Sequence, residues 1–197
     1  MKKAIALLLA LVMVFALCAC GGGGDSAGGD KVVKIGVFEP ASGDSGAGGK
    51  QEVLGIQYAN SVKPTVTIGG EEYKIELDIQ DNQSSTDKAV SAAQQLVADK
   101  GSVVLGSYGS GVSIAGGPKF DEGGIAAVGV TCTNPGVTAG NDYYFRICFL
   151  DPFQGTVLAN YAYNELGYRT AYTLAENGND YDAVSYTHLR AHETSLH

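Results

Sequence analysis

Four hydroxyl side chains lie just after two neighbouring apolar runs in the middle of the chain. They are Ser107, Ser110, Thr131 and Thr133. The segment between the two runs, about 112–122, is helix-like, so the stretch 103–135 predicts a β-α-β unit. Because both strands of such a unit are parallel, they end at the same edge of the sheet. We therefore expect the four hydroxyl groups to lie close together.

The binding of an anion is the chemistry that this edge favours. Ligands of open α/β sheets bind outside the carboxyl ends of the strands. The helix after Ser110 directs its free N–H groups to the same place, where negative charge is stabilised. A bound carboxylate is our leading interpretation. The alternative is structural, since Ser110 is a good N-cap residue and Gly109 and Gly111 permit a tight turn.

Enzymatic chemistry finds little support. The sequence has neither a complete G-x-G-x-x-G loop nor a Walker A motif. Ser110 or Cys132 as a nucleophile would need a histidine base, and all three histidines fall within 188–197. We therefore expect no enzyme and no cofactor.

The segment 184–197 lacks an apolar period and resembles a translated sequencing adapter, so we interpret it as non-native. His188 and His192 have the i, i+4 spacing of helical metal ligands. Since no partner ligands are apparent elsewhere in the sequence, we expect no metal site.

The N-terminus has the pattern of a targeting segment. Two lysines precede an apolar run, 4–17, which is too short to span a bilayer comfortably. The run ends in Leu-Cys-Ala-Cys, which resembles the bacterial lipoprotein box. We predict a signal peptide at 1–19, a lipid on Cys20 and a flexible Gly/Ser/Asp tether over 20–31. The lipid would anchor the protein to the bilayer at the outer face of the cytoplasmic membrane; the alternative is ordinary secretion.

Composition and periodicity favour a globular α/β protein. Of 197 residues 45% are apolar and 17% charged, and the net charge of -8 argues against a nucleic-acid partner. The predicted strands are 32–38, 65–68, 73–80, 103–106, 125–130, 143–149 and 168–174. The predicted helices are 50–62, 84–99, 112–122 and 151–166, with another that starts at Tyr181.

Two cysteines, Cys132 and Cys148, remain after removal of the signal peptide and lipidation. Both lie in apolar, strand-like runs. They could pair in an oxidising compartment or remain as buried thiols.

Four segments carry a resemblance to a known family. They are 34–40 (KIGVFEP), 106–110 (GSYGS), 133–135 (TNP) and 149–155 (FLDPFQG). In order and spacing they resemble the branched-chain amino-acid (leucine/isoleucine/valine) binding proteins of ATP-driven importers. The resemblance covers Val33 to about Ala183.

The resemblance implies a type I periplasmic-binding-protein-like fold, in which two α/β lobes hold an amino acid between them. Lobe one, with an open parallel sheet in a three-layer αβα arrangement, is expected at 32–147. Lobe two is only begun at 148–183, so the chain is expected to be a fragment. ABC permease subunits are the implied membrane partners.

The resemblance also implies roles for four residues. Ser110 and Thr133 would bind the ligand carboxylate. The Thr131 carbonyl and the Thr133 hydroxyl would take the ammonium group, and Tyr181 would close over the ligand. The acidic residue that pairs with the ammonium in the family has no counterpart here, and near Gly48 a glycine replaces an aromatic residue. A sensory receptor of the same fold, which binds an amino acid or an amide and transports nothing, is the alternative function.

The predicted anchor can be tested by the substitution Cys20→Ser. We expect it to abolish incorporation of radiolabelled palmitate without changing the fold, because 21–30 contains no core residue. Persistent labelling of the variant would show that Cys20 is not the site of lipid attachment.

Overall fold

The structure is a computed structural model that describes residues 31–184. Three predictions lie outside the described residues: the signal peptide 1–19, the lipidated Cys20 with its tether up to residue 30, and the tail after Val184. From Val32 onwards, the described residues belong to one compact unit.

A six-stranded sheet organises this unit. Its strands are β1 (Val32–Glu39), β2 (Thr65–Ile68), β3 (Glu71–Asp81), β4 (Val103–Leu105), β5 (Ala127–Gly129) and β6 (Tyr144–Arg146). In space their order is β2-β3-β1-β4-β5-β6. All neighbours are parallel except β2 and β3. The predicted open, mainly parallel sheet is confirmed, with one antiparallel strand at its edge.

The edge hairpin follows from two glycines. Gly69 and Gly70 connect β2 to β3 with φ angles of +60° and +84°. Only glycine adopts this left-handed conformation at two consecutive positions without strain, and the resulting turn matches the twist of a two-stranded ribbon.

A short helical segment at 180–184 begins one residue before the predicted start at Tyr181. Among the described residues, four longer helices accompany the strands. They are α1 (Gly46–Val62), α2 (Thr86–Ala98), α3 (Ser110–Gly123) and α4 (Asp151–Asn160), with a 3₁₀ turn at Pro135–Val137 and a π-helical turn at Tyr161–Glu165. None of the helices in the described part of the chain is long and apolar enough to cross a membrane.

The sheet has helices on both faces, because alternate residues of each strand point to opposite sides. Phe38 of β1 and Val104 of β4 belong to the buried cluster that α2 and α3 cover. The Phe120 ring of α3 meets the Phe38 ring edge-on at 5.4 Å. On the opposite face, Ile35 and Leu105 line a groove beside α1. The predicted three-layer arrangement is therefore present in this lobe.

Two helix ends differ from the predictions. Gly101 was expected to close α2, but Lys100 takes the left-handed conformation there (φ +56°). The Gly101 N–H donates to the Leu96 carbonyl, which is the bond made in a Schellman motif by the residue that follows the left-handed one. At α4, the pair Asp151-Pro152 predicts an N-cap followed by the first helical residue, whereas in the structure Leu150 is the N-cap and Asp151 is the first helical residue.

The predicted strand at 168–174 is wrong. This segment forms neither a strand nor a helix, and Tyr172 and Leu174 are fully exposed. A strand needs a neighbour to accept its backbone hydrogen bonds. None of the strands among the described residues lies beside 168–174, so β-propensity alone does not produce one.

The packing of α3 on the sheet predicts a matched pair of glycine variants. A Cβ added at Gly116 would lie 2.7 Å from Cζ of the buried Phe38, whereas one at Gly55 of α1 would meet nothing within 4 Å. Gly116→Ala should lower the free energy of unfolding by about 1–3 kcal/mol through overpacking. Gly55→Ala should raise it by about 0.5–1 kcal/mol. Urea titrations followed by circular dichroism measure both, and equal effects would contradict this packing.

Candidate functional site

A cleft of about 550 Å³ lies at the carboxyl edge of the sheet. Its walls include the loops after β4 and β5, the first turn of α3, and residues 178–181. The four residues predicted to contact a ligand all line it: Ser110, Thr131, Thr133 and Tyr181. The structure therefore brings these residues together.

Ser107 does not reach the cleft, although we expected it to converge with the others. It is fully buried, and its hydroxyl accepts a hydrogen bond from Asn82 Nδ2 (2.8 Å) and donates to the Tyr108 carbonyl (3.1 Å). Its hydroxyl therefore joins the β3–α2 loop to the β4–α3 loop from inside the protein.

Ser110 does not cap α3. The N-cap is Gly109, whose φ of +103° favours glycine, and Ser110 is the first helical residue. The Ser110 hydroxyl, almost fully buried, accepts a hydrogen bond from the Asn134 backbone N–H (3.2 Å). The capping interpretation is thus wrong, and the side chain joins the two loops that follow β4 and β5.

Thr133 has the least satisfied polar group of the cleft. The residue is only 5% exposed, and its Oγ1 has no hydrogen-bond partner among the described residues. Leaving a buried hydroxyl unpaired costs about 1–3 kcal/mol. A polar group of a ligand would remove this cost.

Thr131 is exposed, and its hydroxyl donates to Glu52 Oε1 of α1 (2.6 Å). Only its carbonyl was assigned to the ligand, and that assignment stays a prediction.

Tyr181 reaches the cleft from the opposite side. Its hydroxyl contacts both amide atoms of Gln154 on α4, at 3.1 and 3.2 Å. The preceding residue, Asp180, accepts a hydrogen bond at its carbonyl from Asn134 Nδ2 (2.7 Å). These contacts hold Asp180 and Tyr181 against the loop after β5 and against α4.

An aromatic wall forms where the sequence shows only a glycine. A Cβ at Gly48 would lie 2.6–2.9 Å from ring atoms of Tyr108, so the ring packs directly over the Gly48 backbone. Tyr108 lines the cleft next to Ser110. Sequence reasoning missed this contact because the two residues are 60 positions apart.

Arg146 was also missed, because it was expected only as a strand residue. Its guanidinium donates to the carbonyls of Cys132, Asn134 and Pro135 and to the Thr138 hydroxyl, at 2.8–3.4 Å. One charged side chain therefore fixes the whole loop that carries Thr133.

The thiols of the site are unsuited to nucleophilic chemistry. Cys132 and Cys148 are both free, which decides the question left open by the sequence. Burial raises the pKa of the Cys132 thiol to about 11 and also raises the pKa of Cys148. Both thiols therefore stay protonated at neutral pH, whereas the thiolate is the nucleophile. Among the described residues there is no group of three or more potential metal ligands.

Two glutamates lie behind the cleft, and neither was singled out in the sequence. Glu39, the last residue of β1, is fully buried and accepts a hydrogen bond from the Tyr108 N–H (2.6 Å). Burial, with a hydrogen bond and charge repulsion from Glu52, raises the pKa of Glu39 to about 10. Glu39 is therefore protonated at neutral pH.

Residues 32–192 match the family model described as periplasmic binding protein. The chain belongs to this family. Among curated proteins, the Leu/Ile/Val-binding protein homolog 1 of Brucella abortus is 33% identical over 166 residues, which are 83% of this chain and 42% of that protein. The amino acid binding protein of Pseudomonas aeruginosa is 36% identical over 137 residues, 68% of this chain and 36% of its own length. The chain spans less than half the length of these relatives.

Solved structures of this periplasmic binding protein family have the same fold. A leucine binding protein from Thermotoga maritima has a TM-score of 0.77 and 32% identity, covering 83% of this chain and 46% of its own. A branched-chain amino acid transporter substrate binding protein from Streptococcus pneumoniae, solved with isoleucine, has a TM-score of 0.74 and 30% identity, covering 82% and 46%. The fold predicted from the sequence resemblance is confirmed.

The role of Arg146 predicts a stability difference between two arginine variants. Arg146→Met removes a charged donor from partly buried carbonyls and should lower the free energy of unfolding by about 1.5–3 kcal/mol. Arg169, which donates to exposed carbonyls and lies over the Tyr163 ring, is the control. Arg169→Met should cost less than about 1 kcal/mol. Chemical denaturation compares the two, and a larger effect at Arg169 would contradict our account of the loop.

Proposed function

We propose that this chain is the ligand-binding portion of an extracytoplasmic solute-binding protein of an ABC importer, and that it binds an amino acid. The observation that carries the proposal is the buried, unpartnered hydroxyl of Thr133, which lines a cleft at the N-terminus of α3. A carboxylate placed there gains that hydroxyl and the free N–H groups of the helix.

Each predicted residue has a role in this mode of binding. The hydroxyls of Ser110 and Thr133 contact the ligand carboxylate. The ammonium group donates hydrogen bonds to the Thr131 carbonyl and the Thr133 hydroxyl, and Tyr181 closes over the ligand. The position of all four in one cleft supports these roles.

A branched-chain amino acid is the ligand that we favour. The relatives named for leucine, isoleucine and valine, and the structure that contains isoleucine, support this choice. The aromatic side chains of Tyr108 and Phe149 also line the cleft. Their apolar surface suits an aliphatic side chain better than a charged one.

We further propose that 32–147 is lobe one and that 148–183 begins lobe two of a longer protein. Large apolar side chains beyond β6 are exposed, among them Ile147 (76%) and Phe153 (63%), as expected if further segments cover them. Cys20 would anchor the protein at the outer face of the membrane, beside the permease. A role as an enzyme is not proposed, because 31–184 contains no histidine and the Cys132 thiol is protonated at neutral pH.

Titration of the chain with leucine, followed by amide NMR, tests the site. Two hydrogen bonds to a charged group contribute about 1.5–3 kcal/mol each, which corresponds to a dissociation constant between about 10 mM and about 0.05 mM. We expect saturable shifts at the amides of 110–112 and 131–134. Leucinamide, which lacks the carboxylate, should not cause them; equal shifts would show that the site does not bind a carboxylate.

Thr133→Val separates binding from stability. The substitution replaces an unpaired hydroxyl with a methyl group, so the free energy of unfolding should stay constant or rise. The dissociation constant obtained from the leucine-dependent shifts should rise at least about 10-fold, because one hydrogen bond to a charged group is lost. Ser102→Ala is the control, since it removes an exposed hydroxyl at the opposite end of β4. Normal leucine binding by Thr133→Val would overturn the proposed role.

A further inference from the structure

Two carboxyl groups connect three elements behind the cleft. Glu39 at the end of β1 receives the Tyr108 N–H at one oxygen, Oε2 (2.6 Å). Glu52 of α1 receives the Thr131 hydroxyl at one oxygen, Oε1 (2.6 Å). Tyr108 and Thr131 each lie two residues before a proposed ligand residue, Ser110 or Thr133. The two glutamates therefore hold both loops that form the site.

The remaining oxygen of each glutamate is buried. Glu39 Oε1 and Glu52 Oε2 receive no hydrogen bond from any other group among the described residues. The two carboxyl groups lie within reach of each other, and burial together with a hydrogen bond and charge repulsion from Glu52 raises the pKa of Glu39. Two carboxylates cannot form that bond, because each only accepts; one of them must carry a proton.

We propose that Glu39 and Glu52 share one proton, and that this carboxyl pair is a positioning device that ties α1 to the two loops of the ligand cleft. Glu39 holds the proton and donates it to Glu52, which also accepts from Thr131. The pair acts through the loops and does not touch the ligand. The inference therefore stands whether or not the cleft binds an amino acid.

The surroundings of the pair favour the shared proton over two negative charges. No lysine or arginine in the described part of the chain contributes to the pKa of Glu39. Two neighbouring groups are neutral at neutral pH, because burial, with a smaller contribution from Glu39 or Glu52, raises the pKa of the Tyr144 phenol and of the Cys148 thiol. Loss of the proton would place two negative charges beside each other, with the Glu39 charge fully buried.

The raised pKa of Glu39 determines the direction in which the stability of the folded chain changes with pH. Between its ordinary value of 4.5 and about 10, the folded chain keeps a proton that the unfolded chain releases. The stabilisation is thus complete at acid pH and is lost as the pH rises. In the pH range in which Glu39 is the one group whose protonation differs between the folded and the unfolded chain, the unfolding equilibrium constant should rise up to about 10-fold per pH unit.

Among the groups of residues 31–184 whose pKa is shifted, only Glu39 differs in protonation between the folded and the unfolded chain from pH 5 to 8. For Asp81, burial raises the pKa, but hydrogen bonds from Ser42, Gln83 and Ala41 outweigh it, so this carboxyl titrates below this pH range. The two cysteines titrate above it.

Urea unfolding of the 197-residue chain from pH 5 to 8 tests the proposal. Glu39→Gln retains an acceptor for Tyr108 and a donor to Glu52 but cannot ionise. We expect the unfolding equilibrium constant of the unaltered chain to rise by up to about 10³-fold from pH 5 to 8. The unfolding equilibrium constant of Glu39→Gln should not show this rise. Glu165→Gln, at an exposed glutamate, is the matched control and should keep it. Equal slopes for the unaltered chain and Glu39→Gln would overturn the proposal.

A direct measurement makes the test independent of unfolding. With ¹³C-labelled glutamate, one carboxyl signal of the folded chain should remain in the protonated form at pH 8, and Glu39→Gln should lack it. Thr131→Val removes only the donor to Glu52, so it should shift the Thr133 amide and leave the protonated signal in place. Titration of every glutamate in its ordinary range would refute the shared proton.

Discussion

The parallel pairing of β1, β4 and β5 is the constraint on which the rest of the structure depends. Val37 pairs with Leu105, and Leu105 pairs with Val128. This register brings the ends of three strands to one edge of the sheet. The chain leaves each strand at that edge through a loop, and the cleft lies among these loops. Small changes in the register would move Ser110 away from Thr133.

Residues 132–134 and the serines Ser107 and Ser110 at this edge are buried, so the backbone groups there need partners from side chains. Arg146 supplies donors to three carbonyls of the loop after β5, and Ser110 accepts from the Asn134 N–H. Asn82 contributes from the β3–α2 loop through Ser107. With these groups satisfied, the Thr133 hydroxyl stands out as the unpaired polar group of the cleft wall. Hydrogen bonds from other side chains thus fix the backbone around one unpaired hydroxyl, the arrangement that a preorganised ligand site requires.

Negative charge near the cleft is controlled by burial. A chain with a net charge of -8 places two glutamates directly behind the cleft in which we propose that a carboxylate binds. A protonated Glu39 reduces this conflict, because the pair then carries one charge instead of two. The N-terminus of α3 adds a favourable field on the cleft side. In this chain, two glutamates therefore lie behind the cleft that we propose as a carboxylate site.

The sequence by itself determined the elements and the approximate site. Apolar periodicity located the strands up to β6, Gly69 and Gly70 located the hairpin, and the β-α-β pattern placed Ser110, Thr131 and Thr133 at one edge. These features are local, since they depend on spacing over a few residues. The resemblance added Tyr181, which no local pattern indicated.

Only the tertiary structure decided which side chains satisfy one another. Tyr108 bonds to Glu39 across 69 positions, and Thr131 to Glu52 across 79. The same limit explains the error at 168–174, where apolar, β-prone residues form no strand because no strand lies beside them. Spacing along the chain determines which face of an element a residue occupies, whereas a hydrogen bond between distant residues depends on where folding places both partners.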